Sequence, residues 1–202
     1  MTTEQSKQRI LFIGLNQDLG FPQEMEKLET LTACTKESIT NIYHGGNHSI
    51  YTDKDMNNLW SSGDNYYGEC GIGENGKSTP YGAIHEFIPM CYFQKNNIKL
   101  KNIFINLTGH ATFFQTIDNN IYACGCNNWG QLGTGNDEHE DAFEPVLIPS
   151  LSNKDIIDIR SGNKYAIALC ADNNHNYGLV IESWGRINSL PGDVTRIIIV
   201  YC

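Results

Sequence analysis

The sequence predicts an all-β fold: a β-propeller-like array of four-stranded blades. Three observations carry the prediction. First, Leu59–Gly73 and Ile121–Gly135 are two copies of one pattern, 62 residues apart. Gly63, Asn65, Gly68, Gly71 and Gly73 fall on Gly125, Asn127, Gly130, Gly133 and Gly135, and Tyr67 falls on Trp129. Second, short runs rich in Ile, Tyr and Phe recur between Gly- and Asn-rich turns, a pattern of short strands. Third, little of the chain has helical periodicity. A unit of about 50 to 60 residues holding about four strands fits a blade better than a solenoid coil.

The elements follow in order. Ile10–Ile13 runs into Gly14-Leu15-Asn16, a partial copy of the start of the motif. Glu24–Thr32, with Met25, Leu28 and Leu31, reads equally as a helical segment or as a loop with one helical turn. Ile39–Tyr51 is strand-forming and broken at Gly45-Gly46. Asp53–Asn58 is a turn, and Leu59–Ser61 is the strand entering the first motif copy. Glu74–Tyr81 is a loop, and Ala83–Phe93 is mixed, anchored by Ile84, Phe87 and Ile88. After polar Gln94–Lys99, Ile103–Leu107 is a strand, and Gly109–Phe114 leads to the turn Asp118–Asn120. His48 and His110 keep the same spacing of 62. Asn136–Phe143 is an acidic loop before an outer strand at Glu144–Ile148. Ile156–Ile159 opens a third unit, in which Gly162–Leu169 echoes Gly45–Ile50 with Tyr165 in place of His48. Asn173–Asn176 is a turn, Trp184-Gly185 ends the next strand, and Val194–Tyr201 resembles the opening of a further unit. The inner strand of each blade is expected to carry small residues, because blades converge on the axis.

Composition limits the function classes. The net charge is −9, and the densest basic stretch, Lys95–Lys101, holds only three lysines. Direct binding to nucleic acid is therefore disfavoured, and a partner with a basic surface is the better electrostatic match. The seven cysteines (34, 70, 91, 124, 126, 170 and 202) are odd in number and follow no paired framework. Met1–Arg9 is polar, and no apolar run is long enough to cross a bilayer. The expectation is a reduced, cytoplasmic protein, with the nucleus open as an alternative, and no membrane.

No residue pattern reads as catalytic. Cys124-x-Cys126 would be half a zinc site, and no second close cysteine pair completes it. Cys124 is expected in the core and Cys126 in a turn. His48 and His110, at matching places in successive units, are expected to be scaffold residues bonding a neighbouring turn. The glycine run lacks the Lys and Ser/Thr of a phosphate cradle. No catalytic, cofactor or metal residue is assigned, and binding residues stay unassigned. Tyr66, Tyr67 and Trp129 are either interface anchors or blade packing. Asp137–Asp141 is either a solvated loop or a steering element for a basic partner.

The Gly125–Gly135 run, Gly-x-Asn-x-x-Gly-Gln-Leu-Gly-x-Gly, resembles the signature of the RCC1 (regulator of chromosome condensation) repeat. Gly63–Gly73 is similar, with Glu69 for Gln and Cys70 for Leu, and Gly45-Gly46-Asn47-His48 resembles the element that precedes the signature. The resemblance covers about residues 39–169 of a single repeat domain taken as 1–202. It implies propeller blades, typically seven to a ring. About three clear units would make an incomplete ring, with apolar blade faces open to self-association. The resemblance further implies a non-enzymatic protein–protein interaction scaffold without a cofactor. The alternative is guanine-nucleotide exchange on a small Ran-like GTPase.

Overall fold

The structure, a computed structural model, describes residues 39–73, 82–106, 110–135, 140–171, 179–185 and 199–201. These residues form three four-stranded antiparallel sheets, each a simple meander. Blade 1 contains β1 (Asn41–His44), β2 (His48–Thr52), β3 (Leu59–Asp64) and β4 (Ala83–Pro89). Blade 2 contains β5 (Leu100–Ile105), β6 (Ala111–Thr116), β7 (Ile121–Gly125) and β8 (Ala142–Leu147). Blade 3 contains β9 (Ile156–Ser161), β10 (Tyr165–Ala171), β11 (Leu179–Gly185) and β12 (Ile199–Tyr201). The predicted all-β, propeller-type architecture is what the chain adopts, and the described blades do not close a ring.

The links between blades are also plugs. A single helical turn, Tyr92–Lys95, joins blade 1 to blade 2, and a 3-10 turn, Pro149–Leu151, joins blade 2 to blade 3. Each drives one apolar side chain, Phe93 or Leu151, into the core. Phe93 packs on Phe114 with ring centroids 4.8 Å apart. The main core runs through all three blades and includes Ile50, Phe113, Ile121, Leu132 and Ile159. Strand alternation sends His48 and Ile50 toward blade 2, while Tyr51 joins Ile39 and Trp60 in a second cluster on the opposite face of blade 1. In β10, Ala166, Ala168 and Cys170 are buried in the main core, and Tyr165, Ile167 and Leu169 lie on the other, more exposed face.

Two expectations are corrected. The first strand of each blade is the inner one, because β1 lies beside β5 and β5 beside β9. These strands carry Tyr43, Ile103, Phe104 and Arg160, not small residues. Small residues are concentrated in the third strands, at Ser61, Ser62 and Gly63 in β3 and at Ala123, Cys124 and Gly125 in β7. The reason for the latter is steric: the motif turn of blade 1 lies over β7, so that a Cβ on Gly71 would be 3.0 Å from Cys124 Sγ. Second, Val194–Tyr201 does not open a further unit where it is described, since residues 199–201 are β12, the outer strand of blade 3. The motif-like Ile10–Asn16, the helical candidate Glu24–Thr32 and the turn Asn173–Asn176 lie outside the described residues.

Candidate functional site

Both motif turns are held by the same bonds. The Asn65 side-chain oxygen accepts the Cys70 N–H at 2.9 Å, and Asn127 accepts the Leu132 N–H at 3.0 Å. Asn is required because its short arm places a carbonyl across a loop without a helix or ladder to satisfy these buried donors. Glu69 Oε2 accepts the Tyr67 N–H at 2.8 Å, as Gln131 Oε1 accepts the Trp129 N–H at 2.9 Å. The copies differ in other supports: the Asn127 amide donates to Thr134 Oγ1 at 3.4 Å, while Ile72 stands at the matching position beside Asn65, whose buried amide nitrogen has no partner among the described residues. The acidic loop contributes here too, since Asp141 accepts the Asn127 N–H at 2.8 Å.

Each turn also reaches into the next blade. Gly73 donates its N–H to the Phe143 carbonyl at 2.8 Å, pinning the turn of blade 1 to β8. Gly68 permits this approach, since a Cβ there would be 2.5 Å from Phe143 Cα. At the centre of the seam Thr112 donates to the Glu69 carbonyl at 2.7 Å. His48 Nε2 lies 2.6 Å from the same Thr112 oxygen, whose proton is already committed, so the imidazole is the donor. Cys124 adds a thiol donor to the Glu69 carbonyl at 3.4 Å. The Glu69 carboxylate is fully buried, and its Oε1 meets His110 Nδ1 at 3.1 Å.

His110 bonds a neighbouring turn, at Glu69, as expected, but His48 bonds Thr112 on strand β6 rather than a turn, and the two stand at inequivalent positions. His48 pairs with Gly63 across its hairpin, whereas Ala111, not His110, pairs with Gly125. The stretch 116–120 between the last β6–β7 pair is one residue shorter than 53–58 between the last β2–β3 pair, and β6 is correspondingly advanced, so equal spacing in sequence hides a one-residue change of register. Side chains alternate across a strand, so this change puts His48 on the face toward blade 2 and His110 on the face toward blade 1. Tyr165, paired with Gly185, does match His48, and Lys164 therefore matches His110. The His110 ring sits edge-on to Tyr67 at 5.1 Å, and Lys164 Nζ sits 4.3 Å from the Trp129 ring centroid. Gln131, at the place of Glu69, donates to the Asn163 carbonyl at 3.1 Å.

The seams therefore differ in charge. The hydrogen bond to Glu69 holds the His110 pKa above its ordinary value, against the effect of burial. Burial pushes His48 down to about 4. Burial also raises the Cys70, Cys124 and Cys126 thiols. Cys124 is in the core, and Cys126 lines the turn, accepting from the Asn128 amide at 3.3 Å. Among the described residues, no three His, Cys, Asp or Glu side chains are grouped to hold a metal ion.

Tyr67 and Trp129 take part in the seams, yet Trp129 remains 38% exposed and Tyr66 54% exposed. Tyr165, also 38% exposed, starts β10 on the same rim as these turns. Sequence reasoning did not find a second surface, an open groove of about 210 Å³ beside the first strands, lined by Tyr43, His44, Asn106, Asp158 and Arg160. It follows from the inner placement of β1, β5 and β9, which no local signal in the sequence specifies.

A family model described as "Regulator of chromosome condensation (RCC1) repeat" matches residues 118–169. An RCC1 repeat-containing protein of Schizosaccharomyces pombe is 27% identical over 169 residues, covering 82% of this chain and 47% of its own length. A bifunctional serine/threonine-protein kinase/NEDD4-like E3 ubiquitin-protein ligase of Dictyostelium discoideum is 31% identical over 180 residues, covering 86% of this chain and 9% of that protein. Yeast RCC1 (Prp20) bound to Kap60 shares the fold with a TM-score of 0.62 at 17% identity, over 85% of this chain and 38% of that one. A Saccharomyces cerevisiae Prp20p structure, from work on its binding to Gsp1p and histones, aligns with a TM-score of 0.53 at 22% identity, over 73% of this chain and 33% of that one. The chain thus spans less than half the length of each of these proteins. Residues 118–169 thus match the RCC1 repeat, and the motif turns and meander blades share the fold of the RCC1 propeller structures.

Proposed function

We propose that the chain is a non-enzymatic scaffold that binds a protein partner through the rim carrying the motif turns. One observation carries this reading. The polar side chains of the motif are spent on the turns and seams, while Tyr66, Trp129 and Tyr165 stay exposed on one rim. Exposed aromatics supply large contact area at low entropic cost, as interface anchors do. Yeast RCC1 (Prp20), which shares the fold, is a protein that binds another protein, Kap60. The kinase and ligase activities named for the Dictyostelium relative are that protein's, and this chain spans 9% of it. The test is crosslinking capture from cells with the full chain and with a Tyr66→Ala/Trp129→Ala variant that keeps its thermal melt. A partner set captured by the wild type and lost by the variant is expected. The same set captured by both would sink the reading.

A second reading is nucleotide exchange on a Ran-like GTPase, favoured by the Gsp1p binding studied for Prp20p. Exchange requires preferential affinity for the nucleotide-free GTPase. It predicts accelerated release of labelled GDP at catalytic concentrations of the chain. Unchanged release across a panel of small GTPases would eliminate it.

A further inference from the structure

The seams on either side of blade 2 are built on one plan from different chemistry. In the seam between blades 1 and 2, the groups are a buried carboxylate, Glu69, and an imidazole, His110. In the seam between blades 2 and 3, they are a neutral amide, Gln131, and an ammonium, Lys164. A buried carboxylate needs a cationic or multiply donating partner. Glu69 has the Tyr67 N–H and His110, and only a protonated His110 supplies the charge. Asp64 acts on His110 in the same direction. On the other side of the Glu69 backbone, His48 is enclosed with Thr112 and Cys124, and Thr112 accepts from it while donating to the Glu69 carbonyl. Burial opposes a charge on His48 most strongly, Glu69 favours one, and His110 and His44 oppose it.

We propose that the seam between blades 1 and 2 is a proton-sensitive joint. A protonated His110 clamps the Glu69 carboxylate while a neutral His48 holds Thr112, so the joint loosens on both the alkaline and the acid side. The joint between blades 2 and 3 has no such dependence. The upward displacement of His110 sets the alkaline arm: its contribution is complete below the unfolded-state value and is lost as pH rises through the folded-state value.

The test uses the full 202-residue chain, with Glu69→Gln, which copies Gln131, and His110→Lys, which copies Lys164. Ring NMR should give His110 a midpoint above about 6.5 in the wild type, moving down in Glu69→Gln. From about pH 6.5 to 8.5, the wild-type melting temperature should fall, while both variants stay flat. Over the same range, amide exchange at Tyr67 and Cys70, corrected for the intrinsic rate, should speed up about threefold or more, with Trp129 and Leu132 unchanged. A His110 midpoint at or below about 6.5, or an equal fall in melting temperature for the wild type and Glu69→Gln, overturns the proposal. So does equal acceleration at both pairs of amides.

Discussion

Replacing Gly125 with alanine should cost far more than replacing Gly135, although both glycines have positive φ. Gly125 has φ +117° and Gly135 φ +79°. Left-handed backbone costs a side-chain-bearing residue about 1–2 kcal/mol. At Gly135 little else opposes the change, because a Cβ there would have nothing within 4 Å. Reduced freedom of the unfolded chain returns about 0.4–1 kcal/mol, leaving a net loss of about 1 kcal/mol. At Gly125 the new Cβ falls against the His110 carbonyl oxygen and lies 2.8 Å from Ala111 Cα. Both are backbone atoms of the paired strand, so no side-chain rotation relieves the clash. Relief requires β6 and β7 to part, weakening the bond from the Cys126 N–H to the His110 carbonyl at 2.7 Å. A buried backbone bond left unmade adds about 1–3 kcal/mol, for a total of about 2–4 kcal/mol. At about 2–4 °C per kcal/mol for a chain of this size, Gly125→Ala should lower the melting temperature by roughly 4–16 °C, against about 2–4 °C for Gly135→Ala. Thermal melts by circular dichroism decide the matter. Equal losses would refute the close-approach argument and leave backbone conformation as the sole reason for the glycine. Gly63→Ala should behave like Gly125→Ala, since its Cβ would meet the Asn47 carbonyl and lie 2.6 Å from His48 Cα.

Further predictions concern the same turns. Asn127→Ala strips the buried Leu132 N–H of its acceptor and should cost about 2 kcal/mol by denaturant titration. Asn65→Ala should cost less, because it also removes an amide nitrogen that has no partner among the described residues. His48, with a folded-state value of about 4, opposes folding as pH falls below its unfolded value of about 6.5, by about 2 kcal/mol at pH 5. The difference in unfolding free energy between wild type and His48→Gln, measured from neutral pH to pH 5, should show that loss in the wild type alone. Among the five described cysteines, Cys91 should label first with a thiol reagent, and Cys70 and Cys124 only on unfolding, as read by peptide mass mapping.

The blades were legible because their signals are local. Gly63, Gly68, Gly71 and Gly73, and their counterparts, all adopt positive φ. Few other residues tolerate that conformation, so the fold writes it into the sequence as spaced glycines. Asn65 and Asn127 are legible for a related reason, as each closes its own turn. Strand positions such as Leu59–Ser61 and Ile156–Ile159 followed from residue type alone. The seam chemistry was less legible. Glu69 appeared as a mere variant of Gln131, yet its burial opposite His110 changes the electrostatics of a whole interface.

The sequence by itself determined that the chain is a repeat of short strands and tight turns, because backbone conformation at glycine and asparagine is a property of a few neighbouring residues. Only the tertiary structure decided which strand is inner, that Ile199–Tyr201 closes blade 3, and that His48 and His110 face opposite ways. Those outcomes depend on pairing between distant segments. In blade 2 the strand advances by one residue as its turn shortens by one, so the spacing is unchanged while the faces exchange.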